Sequence, residues 1–144
     1  MEYYEDLTVG DTTSFGTYEV TRDEIVTFAE QYDPQPFHTD ADAAAASMFG
    51  GLVASGWHTA AMTMRLLVDN YLADSGAMGA LGVDELRWPM PVEPGDELSV
   101  RTEILEKDVW DDDRGRVASE ITTTNDDGDV VLSMVAQVLW RRRG

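Results

Sequence analysis

Cysteine is absent from the 144-residue chain, and lysine nearly so, Lys107 being the only one. Without cysteine there can be no disulfides, thiolate metal sites or cysteine nucleophiles. Histidine is almost as scarce: His38 and His58 are the only two, too few for an ordinary zinc site, so no metal is expected. No stretch approaches the roughly 20 apolar residues that a membrane-spanning helix needs. The acidic opening MEYYEDL also lacks the positive and apolar regions of a signal peptide, so a cytoplasmic protein without a membrane partner is expected. G-x-S-x-G, P-loop and G-x-G-x-x-G patterns are missing as well, which leaves serine hydrolase, P-loop NTPase and dinucleotide-binding readings without support.

What the chain does have is negative charge. Twenty-eight Asp and Glu stand against 10 Lys and Arg, a formal net charge of -18. Such a surface repels nucleic acid and anionic lipid. The acidic residues are scattered through an ordinary apolar pattern, which describes a folded body with a solvated anionic skin and not a disordered tail. A nearly lysine-free skin of this kind resembles proteins of salt-accumulating cytoplasms, where ionic strength screens self-repulsion, so a halophilic source, archaeal by expectation, is implied.

The length suits one domain spanning residues 1–144. TSFGTYEV (13–20) reads as a first strand. Thr21 and Glu24 form a capping-box pattern ahead of Ile25, Phe28, Ala29 and Tyr32, predicting a helix that Pro34 stops. Asp40 is placed to cap a second helix, DADAAAASMF, ended by Gly50 and Gly51. The longest helical pattern follows Ser55 and Gly56. Its stripe of Trp57, Ala60, Ala61, Met64, Leu67, Val68 and Tyr71, with further apolar surface from Met62 and Leu66, predicts a helix largely enclosed by the fold. Beyond Gly76 four β-rich segments succeed one another, the third and fourth joined by the turn NDDG. The last, DVVLSMVAQVLW, is apolar on both faces and needs cover on each, a subunit interface being one candidate. The order of elements predicts an α+β domain in which an antiparallel sheet wraps a long helix.

One loop holds the chemistry. In QYDPQPFHTD an Asp at a helix exit and a His five residues later are joined by a segment that Pro34 and Pro36 stiffen. The plain reading is a rigid turn with a locally bonded histidine. The chemical one is a carboxylate base and a proton-exchanging imidazole projected to one point at small entropic cost. SGWH opens the enclosed helix, whose first N–H groups lack intrahelical partners. Taken alone this is a plain helix start; beside an acid/base pair it is a place to polarise a carbonyl oxygen. His58, in the first turn, is expected to pack or hydrogen-bond.

The segment FAEQYDPQPFHTDADAAAASMFGGLVASGWHTAAMTMRLL resembles the signature region of MaoC-like dehydratases, which include the (R)-specific enoyl-CoA hydratases, and GVDELRWPMPVEPGDELSV resembles a later strand of the same family. The resemblance implies a hot-dog fold, an acyl-CoA thioester substrate, no cofactor, and a homodimer or dimer-based oligomer with its sites near the subunit interface. It assigns Asp33 and His38 as the catalytic dyad and the Gly56 N–H as the oxyanion donor, with Ser55 and Gln35 beside them as oxyanion- or substrate-contacting residues. The implied reaction adds water reversibly across the 2,3 double bond of an enoyl-CoA. Where hydratases of the family usually carry Gly, Asn and His, this chain has Tyr32, Gln35 and Ser55, and Met64 replaces a serine found in some members. Two alternatives stand beside hydration: a hot-dog acyl-CoA thioesterase, and a non-catalytic acyl-CoA-binding subunit.

Overall fold

The computed structural model describes all 144 residues, Met1–Gly144. Five antiparallel strands form one sheet in the order β1-β3-β4-β5-β2: β1 (Thr12–Glu19), β2 (Ala77–Arg87), β3 (Glu97–Val109), β4 (Arg114–Thr124) and β5 (Val130–Arg141). Between β1 and β2 lie α1 (Arg22–Tyr32), α2 (Pro36–Thr39), α3 (Ala41–Ala45) and α4 (Gly56–Leu67). α4 runs on through a π-helical turn, Val68–Leu72, to make a 17-residue helical rod packed on the sheet. This is the hot-dog arrangement that the resemblance implied.

Local chemistry accounts for most boundaries. Thr21 caps α1 by accepting from the Glu24 N–H at 3.3 Å, but Glu24 does not return the bond. Its carboxylate takes the Tyr18 hydroxyl instead, tying α1 to β1. Asp40 caps α3, accepting from the Asp42 and Ala43 N–H groups. The helix expected over residues 40–49 is shorter than its sequence, ending at Ala45 before a turn that brings Gly50 to φ +69°. The NDDG turn closes with Gly128 at φ +85°, and the Asn125 side chain accepts from the N–H groups of Asp127 and Asp129.

The buried face of α4 differs from the expected stripe. Thr59, Met62, Thr63, Leu66 and Leu67 are the residues turned into the protein, whereas Trp57, Met64 and Val68 are exposed. Apolar residues line both sides of this helix, so periodicity alone could not choose the inner one. Two threonines belong to the inner face because their hydroxyls are satisfied there: Thr63 bonds Thr123 of β4 at 2.7 Å, and Thr59 donates to the Ser55 carbonyl at 3.4 Å. Around Met62 and Leu66 the main core gathers Ile25 of α1, Leu98 and Val100 of β3, Ile121 of β4 and Val131 of β5. That core packs the first turn of α1 and the middle of α4 against the sheet.

Candidate active site

Asp33 ends α1 at φ -153° and ψ 68°, outside the helical region, as the proline after it requires. Its carbonyl accepts from the Gln35 N–H at 2.8 Å, and the Gln35 carbonyl accepts from the His38 N–H at 2.9 Å. Pro36 occupies the first position of α2, where its missing N–H costs nothing. Each proline also narrows the unfolded ensemble, by about 0.4–1 kcal/mol where the native φ is compatible. The outcome is a short, tightly wound loop whose single helical turn carries His38 inward to 6% exposure.

The histidine's proton can be placed. Its Nδ1 lies 2.7 Å from the Val53 carbonyl, which can only accept, so Nδ1 carries hydrogen. Nε2 is therefore the nitrogen free to exchange a proton, and it faces Asp33 Oδ2 at 3.4 Å.

Asp33 is held by two further donors. Gln35 Nε2 donates to Oδ1 at 2.6 Å and Ser55 Oγ donates to Oδ2 at 2.7 Å. Burial pushes the carboxyl pKa up, but the hydrogen bonds from Gln35 and Ser55 and the charge of His38 outweigh it and hold the group below the ordinary aspartate value. The Asp33 side chain keeps 18% of its surface exposed, so a water molecule can reach it. Gln35 and Ser55, expected to touch substrate or oxyanion, are thus engaged with the carboxylate in this structure.

Ser55 is also the N-cap of α4, accepting from the Trp57 N–H at 3.3 Å. The N–H of Gly56, first residue of that helix, makes no hydrogen bond within the chain and sits at its positive end. Glycine is required here by a protein neighbour: the Trp88 indole lies over the Cα, and a Cβ would come within 2.5 Å of its ring. His38, Gly56, Thr59, Phe37, Phe49 and Trp88 all border one recess of about 540 Å³, so the imidazole and the helix start share a cavity. A second cavity of about 360 Å³, mostly apolar, lies further along α4 between Met64, Leu67 and Val68 and strands β2 and β5. His58 is stacked on Phe28 with ring centroids 4.7 Å apart.

The structure brings the expected residues Asp33, His38, Gln35 and Ser55 into mutual contact, with Gly56 next in sequence to Ser55. Sequence reasoning missed Val53, which acts through a backbone carbonyl and leaves no side-chain signal. It also missed Trp88, whose only hint was its position at the start of the proline-bearing WPMPVEPGD connection.

An α+β hot-dog domain with an Asp/His pair beside the buried start of its central helix defines a class. The MaoC like domain family matches over residues 7–126, most of the chain. The chain belongs to that family. A MaoC-like dehydratase from Rhodospirillum rubrum is 46% identical, with a TM-score of 0.90 over 99% of this chain and 98% of that one. The unliganded R-hydratase PhaJ1 from Pseudomonas aeruginosa is 29% identical, with a TM-score of 0.74 over 96% of this chain and 84% of that one. The 3-hydroxyacyl-thioester dehydratase Z of Mycobacterium tuberculosis (strain ATCC 25618 / H37Rv) is 29% identical over 125 residues, 85% of this chain and 82% of the relative.

Proposed function

We propose that the protein hydrates a 2-enoyl-CoA reversibly to the 3-hydroxyacyl-CoA, with Asp33 and His38 as the acid/base pair. The convergence of His38 Nε2 on Asp33 Oδ2, with His38 and Gly56 lining one recess, is the observation that supports it. In the hydration direction Asp33, ionised, accepts a proton from the water whose oxygen bonds to C3. The π electrons move toward the thioester, whose oxygen takes the developing negative charge against the Gly56 N–H. Protonated His38 gives the Nε2 hydrogen to C2. The proton on Asp33 then returns to Nε2 across the short gap between them, and both groups regain their starting states. Water has been added, and no redox equivalent has moved.

The reading includes a homodimer. β2 pairs only with β5, leaving its other edge open, and Met78, Leu81 and Val83 on it are exposed. Met64 and Val68 on the outer side of α4 are exposed as well. A second copy pairing through β2 would cover this surface isologously.

Incubation with crotonyl-CoA in molar KCl, following enoyl absorbance and free CoA together, tests the activity. Loss of the enoyl signal without CoA release is expected. CoA release would instead indicate a thioesterase, and neither change would leave an acyl-CoA-binding subunit. In the hydration assay Asp33→Asn should lose about 10²- to 10⁴-fold in kcat, the usual worth of a general base. An unimpaired variant removes Asp33 from the chemistry.

A further inference from the structure

We propose that Ser55 is a positioning residue for Asp33: its hydroxyl joins the positive start of α4 to the carboxylate and fixes which way the carboxylate faces. This rests on the reading of Asp33 as the base and assigns Ser55 a role distinct from contact with substrate or oxyanion.

The hydroxyl has a single hydrogen, and the geometry dictates where it goes. Ser55 Oγ already accepts from the Trp57 N–H at 3.3 Å, and Asp33 Oδ2, an acceptor only, lies 2.7 Å away on its other side. Its hydrogen must therefore point at Asp33. Ser55 is 0% exposed, so no solvent molecule replaces either bond in the folded protein. The two residues are 22 apart in sequence, and the bond is the direct polar link between the exit of α1 and the start of α4. A backbone N–H that gives to a hydroxyl polarises it, so the bond from Trp57 strengthens the one to Asp33.

The consequence for Asp33 is geometric first. Gln35 holds one carboxylate oxygen; Ser55 and His38 share the other. Gln35 belongs to the same loop as Asp33 and would move with it, whereas Ser55 is anchored in the core end of α4. Ser55 is thus the contact that references the carboxylate to the start of α4 and the recess that Gly56 lines. The groups acting on Asp33 are Gln35 and His38 from its own loop and Ser55 from α4, and no lysine or arginine pairs with it. Losing one of these few favourable contacts should make the carboxyl easier to protonate.

The test uses the intact protein and two readouts. Titration of the Asp33 carboxyl carbon by NMR needs no substrate. Ser55→Ala and Ser55→Gly should both raise its pKa above that of wild type, and Ser55→Thr, which keeps the hydroxyl, should restore it. Glycine is included because it is tolerated at an N-cap at little cost, so it folds where alanine fails to. In the crotonyl-CoA assay Ser55→Ala and Ser55→Gly should lose about tenfold or more in kcat with KM little changed, and the acid limb of the pH profile should move to higher pH. An Asp33 titration unmoved in both folded variants overturns the inference, because a mere helix cap would lower thermal stability without shifting it. If Asp33 shifts as described while wild type fails to hydrate any enoyl-CoA, the positioning role stands and the hydratase reading falls.

Discussion

The Trp88 indole lies across the Cα of Gly56, so close that a Cβ at position 56 would meet its ring carbons 2.5 to 2.8 Å away. Trp57 packs its edge against the same indole, with ring centroids 5.1 Å apart, and so limits where Trp88 can retreat. Gly56→Ala should therefore destabilise by about 1–3 kcal/mol, the usual cost of overpacking. Chemical denaturation of Gly56→Ala, Trp88→Ala and the double variant checks it. The double should be more stable than the sum of the singles, since removing the ring makes room for the methyl. Additive effects would mean that the indole does not press on position 56 in solution.

His58 is 5% exposed, and its Nδ1 has no hydrogen-bond partner. Burial lowers its pKa below the ordinary 6.5, opposed only by the negative charge of Glu24. A histidine whose folded pKa is depressed binds fewer protons folded than unfolded. Its effect is absent well above 6.5, and it destabilises progressively as pH falls through 6.5 toward the folded value. Carboxylate protonation also changes stability in acid, so the informative quantity is the difference between wild type and His58→Leu. That difference should move against wild type between about pH 7 and pH 5. A constant difference over this range would show that His58 titrates normally.

These two sites mark where sequence reading worked and where it stopped. Pro34 and the capping residues Thr21, Asp40 and Ser55 act within a few positions of where they stand, so α1, the loop from Asp33 to His38 and the start of α4 were legible. The later strands were legible for the same local reason, being bounded by turn residues, with β-branched side chains abundant in β3, β4 and β5 and only Val83 in β2. The inner face of α4 was not. Met64 and Val68 are more hydrophobic than Thr59 and Thr63, yet the threonines face inward because Thr123 of a distant strand and the preceding helical turn satisfy their hydroxyls. Likewise nothing near Gly56 in the chain announces Trp88, which arrives 32 residues later at the end of β2. Within the site, Gln35 and Ser55 could be located from the sequence, but the object of their hydrogen bonds could not, because a donor beside a carboxylate serves substrate or carboxylate equally well until distances are known.

The charge of -18 with a single lysine makes self-repulsion a major destabilising force at low ionic strength. Six of the ten cations are already committed locally: Arg65 to Asp69, Arg101 to Glu103, Arg114 to Asp111, Arg116 to Glu106 and Asp108, Arg142 to Glu5, and Arg143 to Asp6. The excess acids therefore have only solvent ions to screen them. Since the screening length falls from about 10 Å at 0.1 M to about 3 Å at 1 M, the unfolding temperature should rise with KCl across that range. Weakening of the surface ion pairs acts in the opposite sense but is small for exposed pairs. A transition temperature flat or falling with KCl would remove the halophilic reading.

β2 is a long edge strand with little to discourage pairing. Between Ala77 and Arg87 it has no proline and no lysine, and its charges cluster at the Asp84–Arg87 end. Leu81, near the middle, is 50% exposed on a strand whose outer edge is unpaired. Edge strands of this kind associate unless guarded, and an antiparallel pairing of two identical strands is self-complementary about a two-fold axis. Exposed Met64 and Val68 extend the apolar surface onto α4. Wild type should therefore sediment as a dimer in molar KCl, and the paired change Leu81→Lys with Val83→Lys should shift it toward monomer by placing like charges opposite one another across the joint. Sedimentation velocity over a range of protein concentrations reads this directly. A wild type that stays monomeric at tens of micromolar, or a charged variant that still dimerises, would place the subunit contact elsewhere or abolish it.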